Sequence, residues 1–293
     1  MGFMSHDLLH NGVFPSVKMN SFFGWLSTTV FFGISSSQWK EEHNVHHAIT
    51  NQVHEDLQFT YLPVFLLHWK ELLYGKGKQL PWWSTYVLRI QCFLLVPICI
   101  FIGRFNIYQV TFRHALGQRD DALRIGQFSL KEVVGLGLFW AYFLTLCSLL
   151  PSASHIAVYV VMSHWLVGIL HLQLLLNHMA MEFFQGTEQQ EIEWFRVQLS
   201  SSRNIRKLAG SNWMTHWFHG GLQYQIEHHL FPRLPRHNLG QVAPRVRALC
   251  KKYDVPYVLD SFLDTVWDVL KDMYNNYWQN KPVIEANIKQ YEA

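Results

Sequence analysis

Three histidines, His43, His46 and His47, fall within five residues of one another, and far downstream His228 and His229 stand side by side. A third pair, His6 and His10, opens the sequence. Positions i, i+3 and i+4 share one face of a helix, so each cluster can aim several imidazoles at one point. Crowded imidazoles need partners, and a metal ion is the partner that uses several at once. In a chain with 17 histidines the His6–His10 pair is a weak signal alone, whereas three histidines on one helical face are a much rarer pattern. Together the clusters predict a multi-histidine metal enzyme.

The elements that must position these clusters are partly apolar. Only 15% of the 293 residues are charged, while 49% are hydrophobic and 15% aromatic; an ordinary soluble domain is about 25% charged. A mean hydropathy of +0.02 fits a few buried spans joined to a substantial water-facing body. The formal charge of +3 is too small to imply a nucleic-acid partner. Cys92, Cys99, Cys147 and Cys250 show no CxxC spacing, so they read as packing residues without a disulfide framework, consistent with a site facing the cytosol. Residues 1–18 lack the basic start of a signal peptide.

Residues 133–150 and 156–176 are each long and apolar enough to cross a hydrocarbon core of about 30 Å. The uncharged turn Pro151-Ser152-Ala153-Ser154 makes them a tight hairpin. Arg113, Arg119, Arg124 and Lys131 precede it and Arg196, Arg203, Arg206 and Lys207 follow it, which puts both flanks in the cytosol. Residues 90–103 are shorter and contain Pro97. If the clusters at 43–47 and 228–229 build one site, an even number of crossings separates them, so this stretch is expected to lie in plane or dip and return. Residues 22–34 suit a second re-entrant segment. Beyond Ser211 the chain is polar, aromatic and helical in character, with a turn at 234–239 entering a helix that runs to about Cys250. The fold class expected is an all-α, polytopic membrane helix bundle with a cytosolic helical cap.

His6-Asp7-Leu8-Leu9-His10, His43-Asn44-Val45-His46-His47 and Gln225-Ile226-Glu227-His228-His229 resemble the three histidine boxes (HxxxH, HxxHH and [HQ]xxHH) of the membrane-bound fatty acyl desaturases. Gln225 in place of histidine, led by Trp217-Phe218-His219-Gly220-Gly221-Leu222-Gln223-Tyr224, resembles the front-end branch. His171-Leu172-Gln173 ahead of Asn177-His178, with Pro232-Arg233-Leu234-Pro235-Arg236, looks most like the sphingolipid Δ8 and plant-type Δ6 desaturases. The resemblance covers nearly the whole chain and implies a di-iron centre held by His6, His10, His43, His46, His47, His228 and His229. It adds His178, which directly follows the second span on the side of the boxes. It also implies an O2-dependent front-end desaturase of fatty acyl chains or sphingoid bases, with electrons from cytochrome b5 and its reductase, in the endoplasmic reticulum membrane.

Removing hydrogen from an unactivated methylene needs an oxidant made from O2 and two electrons, and an imidazole-rich site suits iron. Asp7 and Asp56 are candidates to orient ligand imidazoles, and Gln225 to hold a metal-bound water. His164, His171 and His178 share a helix face, but His171 and His164 stand about 10 and 21 Å from His178 along the axis. His164 is therefore expected to face the bundle, and His171 to line the substrate channel or bond an interior carbonyl. His54, His68, His114, His155 and His237 are expected at the surface. Trp140, Phe139, Trp165 and Trp213 are candidate tunnel walls or simple core.

The family pattern includes a hairpin before the first box and a cytochrome b5 domain with a His-Pro-Gly-Gly motif that these residues do not contain. The expectation is an N-terminally truncated chain, with a desaturase domain over 1–260 and a cytosolic helical tail over 261–293. Three rival readings stay open: a lipid hydroxylase of the same superfamily, a zinc hydrolase of lipids, and an inactive truncated relative. Gln225 favours desaturation.

Overall fold

The computed structural model describes residues 2–59, 61–73, 80–116, 129–186 and 192–289; Arg119 and Arg124 lie outside them. The helices are α1 (Gly2–Leu9), α2 (Val17–Trp25, continued by a π-helical turn Leu26–Val30), α3 (Ser36–Ala48), α4 (Lys70–Leu73), α5 (Ser84–Arg89), α6 (Gln91–Phe101) and α7 (Gly103–Ala115). Then come α8 (Leu130–Ser148), α9 (Ala153–Leu176), α10 (Trp194–Ser200), α11 (Asn212–His219), α12 (Gln225–Leu230), α13 (Arg236–Lys252) and α14 (Phe262–Lys289). Two-residue strands, Asn204–Ile205 and Leu259–Asp260, pair in parallel. Serine starts many of the helices: the side chains of Ser16, Ser35, Ser129, Ser152 and Ser211 each accept from a backbone N–H of the first turn. Each satisfies a donor the helix itself cannot.

Among the described residues two helices, α8 and α9, are long and apolar enough to cross a membrane, as the apolar runs predict. α6 and α7 form a pair bent by 72°, and their contacts show where they go. α6 descends along α9 until the backbone of Ile100 rests on Gly168, where any side chain would collide with it. After the bend Phe105 stacks on His164 with centroids 5.3 Å apart, and Tyr108 reaches Phe139 and Trp140. Thr111 Oγ1 then accepts from Ser35 N at 3.2 Å, back at the open end of the hairpin. The pair enters and leaves on one side, so two crossings remain between the second and third boxes.

Residues 25–36 make a second dip. Trp25 Nε1 donates to Lys131 O at the start of α8 (3.0 Å). Phe31 O accepts from Tyr142 OH (3.0 Å), about 16 Å further along the same helix. Ser36 is back at Glu132. Arg104 joins the two dips: its guanidinium donates to Phe32 O and lies over the rings of Phe32 and Tyr108 at 3.8 and 4.5 Å. A cation so deep in an apolar bundle is tolerated because a carbonyl and two π faces receive it.

The first turn of α8 also holds the helix of the second box. The buried Glu132 carboxylate accepts from Ser36 Oγ (2.7 Å), Ser36 N (3.2 Å), Ser37 N (3.3 Å) and Thr29 Oγ1 (3.2 Å). It caps the N-terminus of α3 from a remote span, where a negative charge meets unpaired N–H groups and the positive end of the helix dipole.

Other expectations change. His114 is buried and His54 and His68 half-buried, because α7 folds back onto the bundle and His68 stacks on Phe183 (5.5 Å); His155 and His237 are exposed as expected. His164 faces the bundle, its Nδ1 donating to Val160 O at 2.8 Å. His171 packs beside Gly103 at the α6–α7 bend. Phe139 is core, whereas Trp213 is neither core nor wall but exposed. The cysteines are free, three of them buried. α13 spans Arg236–Lys252, close to the expected helix, and α14 packs across α5 and α6, with Gln91 Nε2 donating to Met273 O (2.8 Å).

Removing the Glu132 carboxylate takes the acceptor from three buried donors, Ser36 Oγ, Ser36 N and Thr29 Oγ1, and from the part-buried Ser37 N, so Glu132→Ala is expected to destabilise the protein by about 3 kcal/mol. Glu132→Gln, which keeps one acceptor oxygen, is expected to fall between the two. Thermal denaturation in detergent, with bound metal counted per chain, checks both.

Candidate metal centre

The eight histidines reach the site from four separately anchored elements. α1 supplies His6 and His10 one turn apart, α3 supplies His43, His46 and His47, the first residues after α9 include His178, and α12 supplies His228 and His229. His6, His10, His43 and His228 form one group and His46, His178 and His229 another; within each, the ligand-type nitrogens lie within 4.8 Å of one another and all are buried. His47 stands between the groups. Its Nε2 is 3.2 Å from His43 Nε2, and its ring centroid is 4.7 Å from those of His10 and His228 and 4.3 Å from that of His229. All eight histidines picked out by motif therefore meet in one place.

Hydrogen bonds from outside set which nitrogen each ring turns inward. His46 Nδ1 donates to Asp56 Oδ2 at 2.8 Å, and the same carboxylate accepts from Asn51 N (2.8 Å) and Gln58 N (3.1 Å). His178 Nδ1 donates to Ser201 O (2.9 Å), His229 Nδ1 to Gln198 Oε1 (2.9 Å) and His43 Nδ1 to Gln58 Oε1 (3.1 Å). Asp7 is 3.3 Å from His6 Nδ1 and is itself held by Arg236 Nε at 3.2 Å. With Nδ1 occupied, the lone pair sits on Nε2, facing the cluster. The buried Nε2 atoms of His10, His228 and His229 have no hydrogen-bond partner, nor has His47 Nδ1.

Gln225 falls at the second group. Its side-chain amide donates to His178 Nε2 at 2.9 Å, the nitrogen left free by the Ser201 bond, and its oxygen lies 3.5 Å from Asn177 Nδ2. Glu227, in the same box, turns away: its carboxylate accepts from Asn204 Nδ2 and Tyr257 OH, both at 2.8 Å. That bond set pins α12 to the strand Asn204–Ile205, since Asn204 Oδ1 also accepts from Ile226 N (2.9 Å). Burial raises the Glu227 pKa.

The electrostatics favour neutral imidazoles. His10, His43, His47, His178, His228 and His229 are all held well below the usual imidazole pKa, first by burial and then by neighbouring imidazoles; His43 and His178 feel weaker opposing hydrogen bonds from Gln58 and the Ser201 carbonyl. Neutral imidazole is the ligand form. Buried lone pairs facing one another without donors are costly, and a cation between them removes that cost. The donor set, nitrogen without thiolate, fits iron. On one side the cluster meets apolar core: the Phe59 ring packs, tilted, beside His46 and His178, at 5.4 and 5.3 Å between centroids. Trp39 covers His43 at 4.4 Å.

Sequence reasoning missed Gln58, Gln198, Thr50, Asn204, Tyr257 and the Ser201 carbonyl. Thr50 follows the second box by three residues, and its Oγ1 lies 3.1 Å from Gln198 Oε1 and 3.3 Å from His229 Nδ1; the others lie further from the boxes in sequence, and none carries a spacing signal. Asp56→Ala is expected to release His46 and lower metal affinity about 10–100-fold while the helices persist. Metal titration beside far-ultraviolet circular dichroism tests this, and unchanged affinity would remove Asp56 from the site.

The fatty acid desaturase family model matches residues 1–261. Over 93% of the chain it is 33% identical to a Delta(8)-fatty-acid desaturase of Helianthus annuus, covering 58% of that protein. It is 32% identical to a Delta 8-(E)-sphingolipid desaturase of Kluyveromyces lactis over 89% of the chain and 46% of the relative. It is 30% identical to an acyl-lipid (9-3)-desaturase of Borago officinalis over 96% of the chain and 62% of the relative. The chain thus spans about half to three-fifths of the length of these curated relatives. No solved structure matches it. With the three boxes and their converging imidazoles, the match over residues 1–261 makes the chain a member of the fatty acid desaturase family.

Proposed function

We propose that this chain is the catalytic core of an O2-dependent front-end desaturase, which introduces a double bond into a fatty acyl chain or sphingoid base during lipid biosynthesis. The observation that carries the reading is the pair of buried histidine groups bridged by His47, with their Nε2 atoms turned inward. His6, His10, His43 and His228 would hold one iron and His46, His178 and His229 the other, with His47 between them. Bound there, iron supplies the oxidising power, from O2 and two electrons, that removes two hydrogens from adjacent methylenes. The desaturase names of the relatives support the reaction class.

The chain's own residues do the positioning. Asp56, Gln58, Gln198 and the Ser201 carbonyl orient the imidazoles. Phe59 and Met179, in the apolar core between α6 and α9, keep water from the second group and give a methylene chain an apolar surface beside it. Gln225 meets the second group from α12, its amide on His178 Nε2; when that nitrogen takes iron the amide would be released to hold a water or polar ligand beside it. Electrons come from cytochrome b5 and its reductase, and the open end of the α8–α9 hairpin faces the cytosol at the endoplasmic reticulum membrane, in keeping with Arg196, Arg203, Arg206 and Lys207 beyond α9. Residues 1–260 form the desaturase domain.

Expression in yeast beside cytochrome b5 should yield about two irons per chain and a new double bond in acyl or sphingoid lipids. A new hydroxyl in place of the double bond would shift the reading to a hydroxylase, and zinc without iron, with turnover independent of O2, would overturn it. In the same assay Gln225→Ala is expected to cut turnover about 10-fold or more with iron largely retained; full activity would remove Gln225 from the site.

A further inference from the structure

α14 is amphipathic in three sectors rather than two. At about 100° per residue, Val269, Met273, Tyr277 and Ile284 form the face buried against the protein. Asp264, Asp268, Lys271 and Gln279 lie on the opposite, exposed side. Between them, within about 60° of arc, runs an exposed stripe of Leu263, Trp267, Tyr274 and Trp278, with Leu263 76% and Trp267 67% exposed. An exposed aromatic stripe beside a charged face needs a partner that is apolar on one side and wet on the other.

The position of the stripe identifies that partner. Val269 and Met273 share one core with Leu175, Leu176 and Met179 at the end of α9 and with Cys92 and Leu95 at the start of α6, so α14 crosses the open ends of these membrane elements. α11 lies at the same level: Phe218 O accepts from Gln173 Nε2 at 2.9 Å, one turn inside the end of α9. α11 carries its own exposed pair, Trp213 and Trp217, each 73% exposed and with ring planes 16° apart. The two helices abut where Phe218 meets Phe262 at 5.7 Å. At the far end Arg89 and Lys281 lie over Trp278 at 5.5 and 5.7 Å, as cations do where an aromatic belt meets headgroups.

We propose that α11 and α14 form one continuous aromatic collar seated in the lipid headgroup layer at the open end of the α8–α9 hairpin, so that α14 lies in the membrane plane instead of standing in the cytosol as a tail. The occupant is the bilayer interface, because the stripe continues the level at which the spans leave the membrane. The inference rests on α8 and α9 crossing a bilayer and is independent of the reaction.

From Leu263 to Trp278 the helix is about 22 Å long, so its two ends report different depths unless it lies in plane. The test uses the full chain in phosphatidylcholine nanodiscs, with Cys147→Ser removing the one native thiol that is not buried. Nitroxide labels go at Trp213→Cys, Leu263→Cys, Tyr274→Cys and Gln279→Cys. Expected is stronger relaxation by O2 than by a nickel chelate at 213, 263 and 274, at equal shallow depth, with the reverse at 279. Water-like values at 263 and 274, or depths that diverge along the helix, would overturn the proposal. So would labels shielded from both reagents, the mark of a second protein chain on the stripe. Bromolipid quenching of native tryptophan fluorescence gives an independent reading: the quenched fraction should drop in Trp267→Phe/Trp278→Phe, and an unchanged fraction would count against the collar.

Discussion

Eight buried imidazoles brought within contact of one another are the constraint on which the rest of this structure depends. Left to themselves, neutral rings with lone pairs facing inward lose hydrogen bonds to water and gain none in return. Protonated rings would repel. The cluster is held by bonds made outside it: Asp56, Gln58, Gln198, Asp7 and the Ser201 carbonyl each take an Nδ1 and turn an Nε2 inward. Burial then holds His43, His228 and His229 well below the usual imidazole pKa, which favours their neutral form. Orientation and neutrality are what cation binding needs, and the surrounding fold supplies both before any ion arrives.

The membrane elements serve the same end. α8 and α9 place His178 at the open end of a hairpin, and two re-entrant stretches return the chain to that end, so four separate elements can reach one point. Glu132 links the span α8 to the N-terminus of the helix bearing His43, His46 and His47. Arg104 links the tips of the two dips. Glu227, with Asn204 and Tyr257, fixes α12 from the far side. Glu132, Asn204 and Glu227 are buried and well bonded, which is the condition under which polar groups rigidify a core rather than weaken it.

Much of the site was legible in the residues. The box spacings put three histidines on one face of α3, and the even number of crossings required residues 90–103 to dip and return, as the α6–α7 bend does. The two spans followed from their apolar length. The supporting partners were not legible, because a bond such as His229 to Gln198 joins positions that no periodicity connects. His114, expected at the surface, is buried, and Trp213, expected as a tunnel wall or core, is exposed, since exposure of a lone side chain depends on which element packs over it.

The sequence by itself determined the chemistry: the ligand type, the neutrality that apolar surroundings impose, and the number of long spans, all of which follow from residue identity and local spacing. Only the tertiary structure decided how the histidines divide into two groups with His47 between them, which nitrogen each ring presents, and that α14 lies across the open ends of α6 and α9. Those features arise from long-range packing and hydrogen bonds. Their free energy depends on where separate helices meet, which local sequence does not encode.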